Sequence, residues 1–114
     1  MKYTMNLVPS AFNAIAKGHK TIEMRLYDER RSVICIGDDI EFENIETHRK
    51  ILCKVISLAR FQDFFALYAS FDKTALGYGE YEVANPEDMY KYYSPEMVAK
   101  YGALAIEIEL IKVL

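Results

Sequence analysis

The chain has 114 residues, of which 52% are hydrophobic and 27% charged, a balance typical of a water-soluble protein with one core. Its formal net charge of -3 argues against a protein that coats duplex nucleic acid by charge alone. No apolar stretch approaches the roughly 20 residues that span a bilayer, and residues 1–4 show no apolar signal segment. We therefore expect one domain over residues 1–114, located in the cytoplasm and without membrane contact.

The first half of the chain combines short strands with one helix. Residues 3–8 are typical of a strand, and the following helix begins at Pro9 and ends at Gly18, where glycine supplies a left-handed stop. Apolar and polar side chains alternate from Thr21 to Tyr27, which predicts a strand with one polar face of mixed charge. Further strands are predicted for residues 40–43 and 50–58.

The second half is richer in helices. Four aromatic residues recur at helical spacing, namely Phe61, Phe64, Phe65 and Tyr68. They predict an amphipathic helix over residues 62–70 with this stripe in the core. Asn85-Pro86 and Ser94-Pro95 each predict the start of a short helix, and a last strand follows Gly102. This order predicts an α+β fold, a small mixed β-barrel with helices packed at its ends.

The two cysteines lie in apolar, strand-like runs. Cys35 falls within residues 32–36 and Cys53 within residues 51–55. This setting favours buried, reduced thiols over a disulfide.

The densest group of functional side chains lies at residues 17–25, where a helix end leads directly into a strand. Thr21, Glu23 and Arg25 share strand parity and therefore one face, and Lys20 can reach the same edge from the turn. The simplest interpretation is a solvated strand face with a Glu23–Arg25 ion pair. The alternative is a binding site in which Lys20 and Arg25 pair with phosphate.

Residues 18–25 read GHKTIEMR and resemble the G-x-K-T-x-E-x-R signature of ASCH domains, relatives of the PUA RNA-binding fold. Residues 37–42 resemble the family's G-D-x-I-x-F strand entry, and residues 92–108 resemble its closing helix and strand. The resemblance implies a PUA-like barrel whose cleft binds RNA or a nucleotide-like ligand, with a role in RNA processing or translation. The ligand-binding residues predicted for this cleft are Lys17, Thr21, Arg25, Tyr92, Tyr93 and Ser94.

One branch of the family is similar to amidohydrolases that deacetylate acetylated cytidine, which provides a second hypothesis. Lys20 matches the lysine of that motif, but Glu23 stands where the motif has threonine, and a carboxylate poorly replaces a hydroxyl nucleophile. Thr21 lies two residues away, about 6 to 7 Å along a strand. In the enzymatic alternative Lys20 and Glu23 are a catalytic proton-transfer pair. Candidates for the branch's distant glutamate are Glu80 and Glu82, which follow Gly77-Tyr78-Gly79 in a loop that we expect to be flexible and near the cleft.

The remaining features leave further alternatives open. Tyr90, Tyr92, Tyr93 and Tyr101 cluster in sequence, where rings either pack in the core or line the cleft. His19 and His48 have no other ligands at metal spacing, so we expect neither a metal nor a cofactor. Residues 61–114 carry four Lys and Arg against nine Asp and Glu. This acidic half supports a third hypothesis, a regulatory domain that binds a protein partner.

Overall fold

The computed structural model describes residues 1–114 and contains five strands, three α-helices and one 3-10 helix. In chain order these are β1 (Lys2–Leu7), α1 (Pro9–Ala16), β2 (Ile22–Leu26), β3 (Asp39–Asn44), β4 (Lys50–Phe61), α2 (Phe64–Ala69), the 3-10 helix (Pro86–Lys91), α3 (Pro95–Tyr101) and β5 (Ala103–Val113). No helix has both the length and the apolar character needed to cross a membrane.

The strands form one mixed sheet in the order β1-β3-β4-β5-β2, in which only β1 and β3 run parallel. The sheet curls into a half-barrel, so that its two edge strands, β1 and β2, come near each other. The guanidinium of Arg25 in β2 bridges them, because its Nη2 donates a hydrogen bond of 2.9 Å to the carbonyl of Asn6 in β1. The predicted α+β class with a barrel-like mixed sheet is confirmed.

Two hydrophobic clusters occupy the two faces of this sheet. The first fills the concave face, where Phe12 and Ile15 of α1 pack against β1, β3, β4 and β5. The second lies on the opposite face, where α2, the 3-10 helix and α3 cover β2 and part of β5. Because successive strand residues face opposite sides, Ile22, Met24 and Leu26 enter the second cluster. Glu23 and Arg25 therefore face the concave side.

The strand prediction for residues 32–36 was wrong, and so was the prediction that both thiols are buried. None of these residues lies in a strand, and Cys35 is exposed, whereas Cys53 is fully buried in β4. The turn is held by the carboxylate of Asp38, whose Oδ2 accepts a hydrogen bond of 2.8 Å from the Cys35 backbone N–H. A side chain that satisfies backbone donors in this way competes with strand pairing.

The aromatic stripe around α2 is only partly buried. Asp63 caps the helix by accepting a hydrogen bond of 2.8 Å from Ala66 N–H, which starts α2 at Phe64 and leaves Phe61 at the end of β4. Phe64 is buried, but Phe65 is 46% exposed. Aromatic spacing alone therefore located the helix and overestimated its buried face.

Candidate functional site

A cleft of about 410 Å³ opens beside the free edge of β2. One wall comes from the end of β1 and the start of α1, the floor from β2, and the other wall from the loop after α2 and from the 3-10 helix. Eleven of its 20 lining residues are hydrophobic, so the cleft combines apolar walls with a small number of polar groups. This size and this mixture are typical of a small-molecule site.

Three charged side chains form a compact group at the floor of the cleft. Glu23 lies at its centre, with Oε2 at 2.8 Å from Arg25 Nε and 2.7 Å from Arg25 Nη2, and Oε1 at 3.4 Å from Lys20 Nζ. Lys20 and Glu23 are each only 5% exposed. The ion pair expected between Glu23 and Arg25 is present, but the interpretation of a solvated strand face was wrong.

Burial and mutual attraction act in opposite directions on these groups. Burial lowers the pKa of Lys20, and the adjacent Glu23 carboxylate only partly offsets that effect. Burial opposes ionisation of Glu23, but the positive charges of Lys20 and Arg25 outweigh it and lower the pKa of this carboxyl group. With all three groups ionised, this charged group has a net charge of +1.

The loop between α2 and the 3-10 helix holds Lys20 in place. Its Leu76 carbonyl accepts a hydrogen bond of 3.0 Å from Lys20 Nζ, and its Ala75 carbonyl accepts from the backbone N–H groups of Thr21 and Ile22. Gly77 has a φ of +104°, and a Cβ at this position would lie 3.0 Å from Cδ of Lys20. Glycine is therefore favoured here both by the backbone conformation and by the close approach to Lys20.

A hydrogen-bonded tyrosine pair and a carboxylate form the opposite wall. The Tyr78 hydroxyl lies 2.8 Å from the Tyr68 hydroxyl and 2.8 Å from Oδ2 of Asp88, to which it donates. Burial and these hydrogen bonds raise the pKa of Tyr78 far above its usual value, so it stays neutral. All three residues line the cleft, and Asp88 places a negative charge across from Lys20 and Arg25.

The predicted site residues divide into two sets. Those that line the cleft are Lys20, Glu23, Arg25, Tyr92 and Tyr93. Those outside its lining are Lys17, Thr21 and Ser94. Lys17 lies at the end of α1 in a neighbouring depression, Thr21 pairs its backbone with the loop and with β5, and Ser94 caps α3. Of the two candidate glutamates, Glu82 lines the cleft, and Glu80 lines only the depression beside it.

Sequence reasoning missed Tyr68, Tyr78 and Asp88 as cleft residues. Tyr68 was assigned to a core stripe, and the loop that contains Tyr78 was predicted to lie near the cleft, without a role for the tyrosine itself. No role in the cleft was predicted for Asp88. The three meet through folding of the loop between α2 and the 3-10 helix, and no local pattern in the sequence predicts that meeting.

Comparison with known proteins places these features in a family. The model of the ASCH domain matches residues 5–112. The crystal structure of hypothetical protein PH0355 is 33% identical, with a TM-score of 0.78 and coverage of 97% of this chain and 100% of that one. Protein PF0455 from Pyrococcus furiosus, solved by NMR, is 30% identical, with a TM-score of 0.71 and coverage of 98% and 99%.

A more distant similarity concerns the fold alone. The S128A mutant of the ASCH protein from Zymomonas mobilis is 16% identical, with a TM-score of 0.67 over 97% of this chain and 71% of that one. No curated protein matches the chain. The family model covers nearly the whole sequence and agrees with the curled mixed sheet, and the chain therefore belongs to the ASCH domain family.

Proposed function

We propose that this protein is a binding module for RNA or a nucleotide, and that one nucleotide unit occupies the cleft beside β2. The ASCH family is consistent with an RNA-binding, PUA-like module. The observation that carries the proposal is the buried Lys20–Glu23–Arg25 group at the floor of a cleft with tyrosines in its walls.

The charged group suits a phosphate because its cations are already withdrawn from water. Lys20 is fixed by the Leu76 carbonyl and Glu23, and Arg25 by Glu23 and the Asn6 carbonyl. An anion that enters the cleft therefore meets preorganised donors in surroundings where screening by water is weak. This group has one positive charge in excess, so the attraction for an anion is local to the floor of the cleft. The other charged lining residues, Glu82, Asp88 and Lys91, bring the formal charge of the whole lining to zero.

The walls supply surfaces that suit a base. Tyr92 lines the cleft while 58% exposed, which leaves its ring free for stacking. Asp88 can accept hydrogen bonds from amino groups on the edge of a base. In this orientation the phosphate would lie beside the cations of the floor, and the amino groups of the base would lie beside the Asp88 carboxylate.

Binding to nucleoside 5′-monophosphates and to short single-stranded RNA tests the proposal. Lys20→Gln should weaken both by on the order of 1 kcal/mol and reduce the salt dependence, because one phosphate contact is lost. Lys17→Gln removes the same charge three residues away, outside the cleft lining, and serves as the matched control. Equal affinities for the two variants, measured by calorimetry, would contradict phosphate binding at this site.

The lowered pKa of Lys20 favours a second candidate, a small amidohydrolase that acts on a modified nucleoside such as acetylated cytidine. A lysine with a lowered pKa gives up its proton more readily, as a proton-transfer group in amide cleavage must. Glu23, however, is held by Arg25 and offers no hydroxyl, and Thr21 lies outside the cleft lining. Release of acetate from acetylated cytidine by the wild type, abolished in Glu23→Gln at a temperature where circular dichroism shows that this variant is folded, would establish the enzyme over the binding module.

A further inference from the structure

We propose that the cleft selects bases with an exocyclic amino group over uracil and hypoxanthine, and that a hydrogen-bonded chain of Tyr68, Tyr78 and Asp88 determines this selectivity. All three residues of this tyrosine chain line the cleft. The inference rests on the proposed function, because the cleft must first hold a nucleotide. It goes further in that it names the chemical group of the base that is recognised and the side chains that recognise it.

The charge of Asp88 fixes the direction of the hydrogen bonds in the tyrosine chain. An ionised carboxylate can only accept, so the Tyr78 hydroxyl donates its single proton to Oδ2 of Asp88, at 2.8 Å. Tyr78 then has no proton left for the Tyr68 hydroxyl, which also lies 2.8 Å away. Tyr68 is therefore the donor of that hydrogen bond, and the chain runs in one direction, from Tyr68 to Asp88.

Asp88 consequently presents a fixed acceptor to the cleft. The hydrogen bond from Tyr78 restricts rotation of the carboxylate through Oδ2, and Oδ1 remains free to accept. None of the ion pairs of the protein includes Asp88. Lys91 also lines the cleft, but it is exposed and forms no ion pair, so its flexible ammonium is not a fixed donor on this wall.

A fixed acceptor distinguishes amino groups from carbonyl groups on the edge of a base. Adenine, cytosine and guanine each carry an exocyclic amino group, which projects beyond the ring and can donate to Oδ1 of Asp88. Uracil and hypoxanthine have no such group. The ring N–H of uracil lies between two carbonyl oxygens and that of hypoxanthine lies beside one, so these oxygens would face the carboxylate, acceptor against acceptor. A polar group that loses water without gaining a partner weakens binding.

The test uses matched pairs of nucleoside 5′-monophosphates, each titrated against the full chain by calorimetry. AMP is compared with IMP, GMP with IMP, and CMP with UMP, and in each pair the second member lacks the amino group of the first. Wild type should bind the first member about ten-fold more tightly, as expected for one hydrogen bond to a charged group. The affinity ratio of each pair is the quantity that reports on selectivity.

Variants of the tyrosine chain test which side chains set this ratio. Asp88→Asn replaces the fixed acceptor by an amide that can also donate, so each ratio should fall to about two or below. Glu87→Gln removes the same charge from the neighbouring exposed residue, outside the cleft lining, and should leave the ratios unchanged. Tyr78→Phe keeps the ring but releases the carboxylate, and the ratios should fall to about three. A merely structural defect would weaken both members of a pair equally.

The outcomes separate this inference from the proposed function. If no monophosphate binds wild type, both proposals fail. If all of them bind with equal affinity and Lys20→Gln weakens each, the cleft remains a nucleotide site and the selectivity is overturned. If wild type prefers the amino-bearing bases but Asp88→Asn keeps the same ratios, the tyrosine chain does not determine the preference, and its role is overturned. Thermal unfolding of each variant checks that the fold is intact, and the ratios of the wild type depend on no variant.

Discussion

The central carboxylate of the cleft floor offers a direct test of how the charged group is stabilised. Glu23→Gln preserves the shape of the side chain but removes its charge. Arg25 would lose charge-assisted hydrogen bonds of 2.8 and 2.7 Å, and Lys20 would lose the partner that lies 3.4 Å away. Two cations would then remain close together at the cleft floor without a compensating charge. We expect a large loss of stability.

The size of this loss follows from the burial of the group. Removing one partner of a buried ion pair costs about 3 to 5 kcal/mol, and Gln can still accept one hydrogen bond, so we expect about 3 kcal/mol. Small domains are stable by only about 5 to 15 kcal/mol in total. For a chain of this length the melting temperature should fall by roughly 10 °C or more. Glu29→Gln, an exposed glutamate that forms no ion pair, should change stability by less than about 0.5 kcal/mol.

The pH dependence of the stability provides a second, independent test of the contribution of Glu23. The folded pKa of Glu23 is lowered, so its contribution is fully present above the unfolded value of about 4.3 and is lost as pH falls through the folded pKa. Urea unfolding followed by circular dichroism at pH 7 and at stepwise lower pH should show wild type and Glu23→Gln converging in acid. A difference below about 1 kcal/mol at pH 7, or one that does not shrink in acid, would refute this account.

Two further predictions concern the loop over Lys20 and the thiols. Gly77→Ala and Gly37→Ala should each cost about 1 to 2 kcal/mol of stability, because both glycines have a positive φ. Only Gly77→Ala should weaken nucleotide binding, since its Cβ would press on Lys20. Equal affinities of the two variants, measured by calorimetry, would contradict this. A thiol reagent should react with one thiol per native chain and with two after denaturation. Cys35 is exposed, whereas Cys53 is buried, and burial raises the pKa of Cys53 to about 12. Two reactive thiols in the native protein would show that Cys53 is accessible.

The fold could be predicted largely because its elements have local signals. Alternation over residues 21–27 predicted β2, and the proline starts and the glycine stop predicted α1 and α3. Errors arose where a side chain satisfied the backbone in place of strand pairing, as Asp38 does beside Cys35. The β4 strand also extends to Phe61, three residues beyond its predicted end. Its pairing with β5 decides that boundary, and pairing of distant strands has no local signal.

The floor of the cleft was predicted, but only part of its far wall was, and the difference has a physical reason. Lys20, Glu23 and Arg25 lie within six residues, and strand parity directs the last two to one face. Tyr78 and Asp88 reach the cleft only because the loop after α2 folds back onto β2. The burial of Glu23 also depends on the whole barrel, which is why its pairing with Arg25 was predicted but its removal from water was not.

The position of Arg25 connects the stability of the barrel with its proposed ligand. Its guanidinium joins the two edge strands through the Asn6 carbonyl and at the same time orients Glu23, which in turn holds Lys20. Burying such charges costs free energy, and hydrophobic contacts between β1 and β2 would stabilise the barrel at least as well. The charged residues, however, place fixed cations at the floor of a cleft, where an anion can bind them without rearrangement of the protein. The charged contact between β1 and β2 through Arg25 therefore fits a binding role better than a purely structural one.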